Sequence, residues 1–169
     1  MKKISKILLL LLVVATFTLT GCSKNVEGEL SDIMEKVYEK MYADIKEEDR
    51  PMLVTTNTLT EMPEATKEEL DEYIKYTIGT ADIEYKEIYE SKPMIGSIAY
   101  SVVLVRMQEG SDVETAKTAI KENVNPRKWQ CVWVESEDVI VKSKGDLIIL
   151  IMVEDETLRT KIEEGFDNL

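Results

Sequence analysis

A chain of 169 residues, 44% hydrophobic and 32% charged, is long enough for one globular domain with a short extension, and its composition is neither disordered nor collagen-like. The formal net charge of −12 works against nucleic-acid phosphates and anionic lipid headgroups as partners. There is no histidine, which removes the usual general base near neutral pH, the commonest metal ligand and any Ser-His-Asp triad.

The chain opens with the basic stretch Met1-Lys2-Lys3-Ile4-Ser5-Lys6, followed by thirteen uncharged residues, Ile7 to Leu19. A charged start and a short apolar run have the pattern of a secretory signal. A membrane-spanning helix needs about 20 apolar residues, so thirteen are too few for one. Directly after this run comes "LTGC" (19–22), which resembles the lipobox of bacterial lipoproteins: an aliphatic residue, a small one, Gly or Ala, then Cys. In such a motif the cysteine sulfur is the nucleophile that takes the lipid, and the small residues let the peptidase reach the backbone just before it. The expectation is a signal peptide over 1–21, lipid attachment at Cys22 and a short tether over 22–27. Export places the protein on the outer face of the cytoplasmic membrane, held by acyl chains. Loss of Lys2, Lys3 and Lys6 leaves 18 bases against 33 acids, a net charge of −15. Cys131 is then the remaining thiol, and no intramolecular disulfide can form.

The rest, 28–169, reads as one domain. Leu30, Ile33, Met34, Val37, Met41 and Ile45 recur at helical spacing and predict a helix over 28–47. A loop follows over 50–64, with an extended piece at 53–59. Thr66 and Glu69 form a capping box, and Gly79 stops the helix that it opens, read to about residue 76. From residue 82 the period turns strand-like. "DIEYKEIYES" (82–91) alternates apolar and charged residues, as suits an edge strand. "SIAYSVVLVRM" (97–107) is apolar on both faces and belongs in the middle of a covered sheet. Ser111 and Glu114 suggest a second capping box for a helix ending near Pro126. "KWQCVWV" (128–134) alternates like a short strand with Trp129, Cys131 and Trp133 on one face. "DVIVKSKGDLIILIMV" (138–153) predicts a hairpin turning at Lys144-Gly145-Asp146, and a helix over 155–167 closes the chain.

"ETAKTAIKENV" (114–124) aligns with "ETLRTKIEEGF" (156–166), and the strands before them match in character. The two segments 82–124 and 138–168 therefore read as ββα repeats. The expected fold is α+β: an antiparallel sheet of four to five strands, with the apolar second strands paired at the centre, the charged first strands at the edges, both late helices on one face, and two additional N-terminal helices on the other face unless a partner covers it.

This plan, with "SIAYSVVLVRM", "NPRKWQCVWVESEDVIV" and "KGDLIILIM", resembles exported Gram-positive lipoproteins that carry the domain of unknown function numbered 4358. The resemblance implies the location and the fold; it brings no activity, substrate or catalytic residue.

Chemistry-bearing patterns are few. The acidic runs Glu47-Glu48-Asp49, Glu68-Glu69-Asp71-Glu72, Glu135-Glu137-Asp138 and Glu154-Asp155-Glu156 mostly open helices, where carboxylates favour the positive end of the helix dipole. No calcium loop, phosphate loop or metal-spaced cluster is present in the sequence, and no catalytic residue, metal or cofactor is assigned. Cys131 lacks a histidine to activate it and reads as a small buried residue between two tryptophans. Arg127, Lys128, Trp129 and Trp133 form the candidate binding patch, because arginine and tryptophan are enriched in binding hot spots. The reading favoured by the sequence is a non-enzymatic lipid-anchored binding or accessory protein, with the membrane as one partner through Cys22 and a protein partner or a second copy as another. The alternatives are an extracytoplasmic hydrolase built on paired carboxylates and a homodimerising structural lipoprotein.

Overall fold

The computed structural model describes residues 25–169; Cys22 and the segment 1–21 lie outside the described residues. In chain order the elements are α1 (Leu30–Asp44), a 3-10 turn (Glu47–Asp49), β1 (Leu53–Asn57), the short α2 (Thr58–Glu61), α3 (Lys67–Ile78), β2 (Tyr85–Pro93), β3 (Tyr100–Met107), α4 (Val113–Asn123), a second 3-10 turn (Ser136–Asp138), β4 (Ile140–Lys144), β5 (Leu147–Val153) and α5 (Glu156–Asp167). The five strands form one antiparallel sheet in the order β1-β2-β3-β5-β4. The α+β class, the antiparallel sheet and the central pairing of β3 with β5 are as the sequence predicts.

β3 and β5 are buried along their whole lengths, so the centre of the sheet is covered on both sides. Tyr100, Val102 and Leu104 pair with Val153, Ile151 and Ile149 and face α1 and α5. Val103 and Val105 pair with Leu150 and Ile148 and face α3 and α4. The two late helices therefore lie on opposite faces, not on the same one. The strands keep the two-fold plan of a repeat and the helices break it. Five strands about 4.8 Å apart leave room for roughly two helices of about 10 Å diameter per face. Each face is filled by one early and one late helix. Gly165 explains why α5 joins α1: a Cβ there would lie 1.9 Å from the Val37 carbonyl oxygen, so the two backbones meet at this glycine. On the other face Gly79 closes α3 with a left-handed φ of 87°, and its Cα abuts the backbone of Asn123 and Val124.

Four further expectations need correction. β2 is not an edge strand, because "LVTTN" (53–57) adds β1 outside it. Its acids are buried and partnered: Glu87 Oε1 accepts from Asn57 Nδ2 at 2.7 Å, and Glu90 is described below. A register shift between Tyr85 and Glu87 also breaks the simple alternation. The cap of α4 is Asp112, which accepts from the Thr115 N–H at 3.0 Å, while Ser111 Oγ donates to the Glu84 carbonyl. Segment 128–134 is irregular, and Cys131 stands in the left-handed region with φ 66°. Its thiol is exposed, contrary to the buried position expected of it. The Thr66–Glu69 capping box and the hairpin turning at Gly145 are present as predicted.

Candidate functional site

The irregular segment between α4 and β4 lies over the α3/α4 face, and it divides the predicted patch in two. Arg127 and Trp133 point outward. The Arg127 guanidinium stacks 5.1 Å from the Trp133 ring centroid and lies 3.7 Å from Glu135, whose carboxylate accepts from the indole N–H at 2.7 Å. Lys128 and Trp129 turn inward. The Lys128 side chain is only 3% exposed and its ammonium lies between the rings of Tyr76 and Trp129, 5.1 and 5.3 Å from their centroids. Val134, beyond them, is buried and its N–H closes the loop on the Pro126 carbonyl at 3.0 Å.

Beneath Lys128 lies a polar cluster in an otherwise apolar sheet face. Glu90 of β2 is at its centre, 1% exposed. Glu90 Oε2 accepts from Lys92 Nζ at 2.7 Å and from the Tyr73 hydroxyl at 3.0 Å. Glu90 Oε1 accepts from Ser101 Oγ at 3.0 Å and faces Lys128 Nζ at 3.6 Å. Lys128 Nζ donates to Ser101 Oγ at 3.2 Å and to the Thr77 carbonyl at 3.5 Å. Two ammonium groups around one buried carboxylate explain why Glu90 stays ionised. Burial raises its pKa, but Lys128 and Lys92 outweigh that and hold it below the usual carboxylate range. Lys128 is shifted the other way: desolvation lowers its pKa to about 8, against the opposing pull of Glu90. Burial and the neighbouring carboxylate keep the Tyr73 phenol protonated well beyond its ordinary range.

Ser101 beside a lysine with a lowered pKa has the residue types of a Ser–Lys nucleophile. Here, however, the Ser101 hydroxyl is spent on Glu90 and the residue is 1% exposed, so no substrate atom can approach it in this conformation. The cluster therefore acts as a pin, fastening the 124–139 segment to the sheet through one charged side chain. Elsewhere, Asp44, Glu69, Asp112 and Glu114 also lie below their ordinary values, each held by a direct hydrogen bond. Of these, Asp112 lines a cleft with Asp82 and Glu84, and its carboxylate is occupied there by the Thr115 N–H and hydroxyl. Among the described residues there is no group of three or more His, Cys, Asp or Glu placed to hold a metal ion.

A second arrangement, not foreseen from the sequence, lies at the other end of β3. Arg106, 9% exposed, holds the start of the domain. Its guanidinium donates to the Val26 carbonyl at 2.8 Å and the Gly28 carbonyl at 2.9 Å. Asp146 of the β4–β5 turn completes the clamp. It pairs with Arg106 at 3.0 Å and accepts from the Val26 N–H at 3.4 Å. The chain is thus fixed to the sheet only four residues after Cys22. No helix among the described residues is long and apolar enough to cross a membrane.

No family model, no curated protein and no solved structure matches this chain. The resemblance noted above therefore stands on the quoted residues alone.

Proposed function

We propose that this protein is an exported lipoprotein, acylated on Cys22 and held at the outer face of the cytoplasmic membrane, where it serves as a binding or accessory protein. The observation that carries the reading is the position of "LTGC" directly after a basic start and thirteen uncharged residues. Two acyl chains on one residue meet the requirement for stable anchoring, where a single chain binds only marginally. The Arg106–Asp146 clamp is consistent with this role. It leaves about four residues between the lipid and the folded domain, a reach of about 14 Å at full extension. The domain is then held close to the membrane with its β4–β5 turn toward the lipid.

The buried polar cluster favours a structural role for Lys128 and Ser101 over a catalytic one. The outward pair Arg127 and Trp133 remains the surface with binding chemistry in that loop. Cys22→Ala is expected to abolish metabolic fatty-acid labelling and to leave unprocessed or soluble protein. Labelling that persists in the variant would overturn the lipoprotein reading.

A further inference from the structure

The two edges of the sheet are finished differently. β4 is guarded by lysines. Lys142 pairs with Glu163 at 3.1 Å and Asp167 at 2.6 Å, and Lys144 bonds the carbonyls of Asp167 and Leu169. From α4, Lys121 donates to the Val139 carbonyl just before the strand. Lysines along an edge resist pairing with another chain. β1 carries no such guard. It lies within residues 51–60, "PMLVTTNTLT", which contain no charge at all. Of the nine large apolar side chains exposed among the described residues, six lie on this edge, on α2 or on the β2–β3 turn: Met52, Val54, Leu59, Met94, Ile95 and Ile98. Exposed apolar side chains gathered in this way mark an interaction surface.

The hydrogen-bond phase of β1 is fixed. The Met94 N–H donates to the Met52 carbonyl at 3.4 Å, continuing the β1–β2 register outward. In an antiparallel pair such bonded positions alternate, so residues 52, 54 and 56 bond toward β2. Leu53, Thr55 and Asn57 direct their main-chain groups outward. The Asn57 N–H is already taken by Glu61 Oε1 at 3.0 Å, as an outward-facing group would be. Leu53 and Thr55 are left to pair.

We propose that β1 pairs antiparallel with β1 of a second copy of this chain about a two-fold axis at Val54, joining the two sheets into one of ten strands. In this register Leu53 of each copy opposes Thr55 of the other, and both free residues exchange their main-chain hydrogen bonds. Asn57, already capped, stays outside the pairing. The two Val54 side chains meet at a non-bonded position, where Cα atoms approach to about 4.5 Å. Charge selects a second copy as the occupant. At −15 over residues 22–169, two copies repel each other over most of their surfaces, whereas residues 51–60 carry no charge and the nearest carboxylate, Glu61, is turned back onto its own Asn57 N–H. Symmetry agrees. A two-fold axis perpendicular to the sheet keeps each face on its own side. Both N-terminal segments, held by Arg106 on the α1/α5 face, then leave from the same side. Two copies tied to one membrane can therefore adopt the pairing, although the pairing itself does not require the anchor. The contact is short, and a shared membrane raises its effective concentration.

The test is a disulfide across the axis in the full-length chain. Val54→Cys, with Cys131→Ser and with Cys22 retained, is expressed and mildly oxidised in isolated membranes. A thiol-reducible dimer is expected, about tenfold more abundant than from Thr118→Cys on the exposed side of α4, because only the first site brings two Cα atoms within disulfide range. In parallel, detergent-solubilised wild-type chain should sediment as a dimer and Val54→Lys as a monomer with an unchanged circular-dichroism spectrum. Monomer alone from Val54→Cys, equal yields from both cysteine sites, a disulfide to a different protein, or a wild type that sediments as a monomer would each overturn the proposal. Fatty-acid labelling of the same samples reads the anchor separately, so loss of one reading is not confused with loss of the other.

Discussion

The two faces of the sheet are held by different physics. On the α1/α5 face the contact is dry and close. Leu30, Ile33, Val37 and Met41 of α1 are fully buried against the strands, and α5 meets α1 where Gly165 has no side chain to offer. Its ion pairs, Arg106 with Asp146 and Lys161 with Asp44, lie at its margins. Within it the hydroxyls of Tyr100 and Tyr38 share a hydrogen bond at 2.9 Å, and burial keeps both phenols protonated well beyond their ordinary range. On the α3/α4 face the helices leave a gap, and an irregular segment fills it with a lysine seated on Glu90. One face depends on shape and the other on charge. The two should therefore fail under different substitutions.

The largest effect is expected at the charged face. Glu90→Ala leaves the buried Lys128 without its carboxylate and beside the partly exposed Lys92. Breaking a buried pair in this way costs about 3–5 kcal/mol. Lys128→Met should cost much less, because Glu90 keeps Lys92, Tyr73 and Ser101 as partners and the apolar stem of the side chain is replaced. Urea unfolding of the two variants measures the asymmetry. Equal losses would mean that the cluster is an ordinary pair and that the pin description is wrong.

Next in size is the dry face. Gly165→Ala places a Cβ against the Val37 carbonyl, and the helices must separate to admit it. Overpacking of this kind costs about 1–3 kcal/mol. If the close approach of α1 and α5 is what holds that face, Gly165→Ala should also lower the amide protection of α1 more than that of α3. A uniform loss of protection would erase the distinction between the faces.

The same contrast explains what could be read from the sequence. α1 and the two central strands are legible because burial imposes a period of 3.6 or a continuous apolar run, and the Thr66 cap carries its own local signature. β1 is legible only in part: the extended piece at 53–59 is there, but nothing in Leu-Val-Thr-Thr-Asn tells that it joins the sheet outside β2. "KWQCVWV" misleads, since Trp, Cys and Trp alternate like a strand while the chain turns at Cys131 with a positive φ. The candidate site was half visible. Lys128 stands out in the sequence beside its tryptophan neighbours, but its partner Glu90 lies 38 residues earlier in a strand whose acids read as a solvent-facing edge. Likewise nothing in "SIAYSVVLVRM" singles out Arg106, and only the folded chain brings Val26, Gly28 and Asp146 around it. Local patterns report periodicity, whereas ion pairs between distant segments leave no spacing to count.

The smallest effect is a pH dependence confined to the charged face. Desolvation holds Lys128 at a pKa of about 8 in the fold, below the 10.5 of an ordinary lysine. Between these values the unfolded chain binds a proton that the folded chain has released, so the stability contributed by this group rises with pH across that window. Below about pH 8 both states are protonated, and the group adds no dependence. One pH unit within the window is worth at most about 1.4 kcal/mol. The groups around the ammonium decide whether the rise survives. Glu90 loses one cation as Lys128 deprotonates, but Lys92 remains 2.7 Å away, and the Tyr73 and Ser101 hydroxyls continue to donate to it. Comparing wild type with Lys128→Met between pH 8 and 9 isolates the contribution: wild type should gain stability relative to the variant as pH rises. Gly165→Ala, on the dry face, should track wild type in parallel. The protein's two tryptophans, Trp129 and Trp133, both lie in the pinned segment, so their fluorescence reports directly on whether Lys128 deprotonates in place or the segment lifts. A relative loss of stability on raising the pH would mean that Glu90 depends on Lys128 more than on Lys92, and the roles of the two lysines in the pin would have to be exchanged.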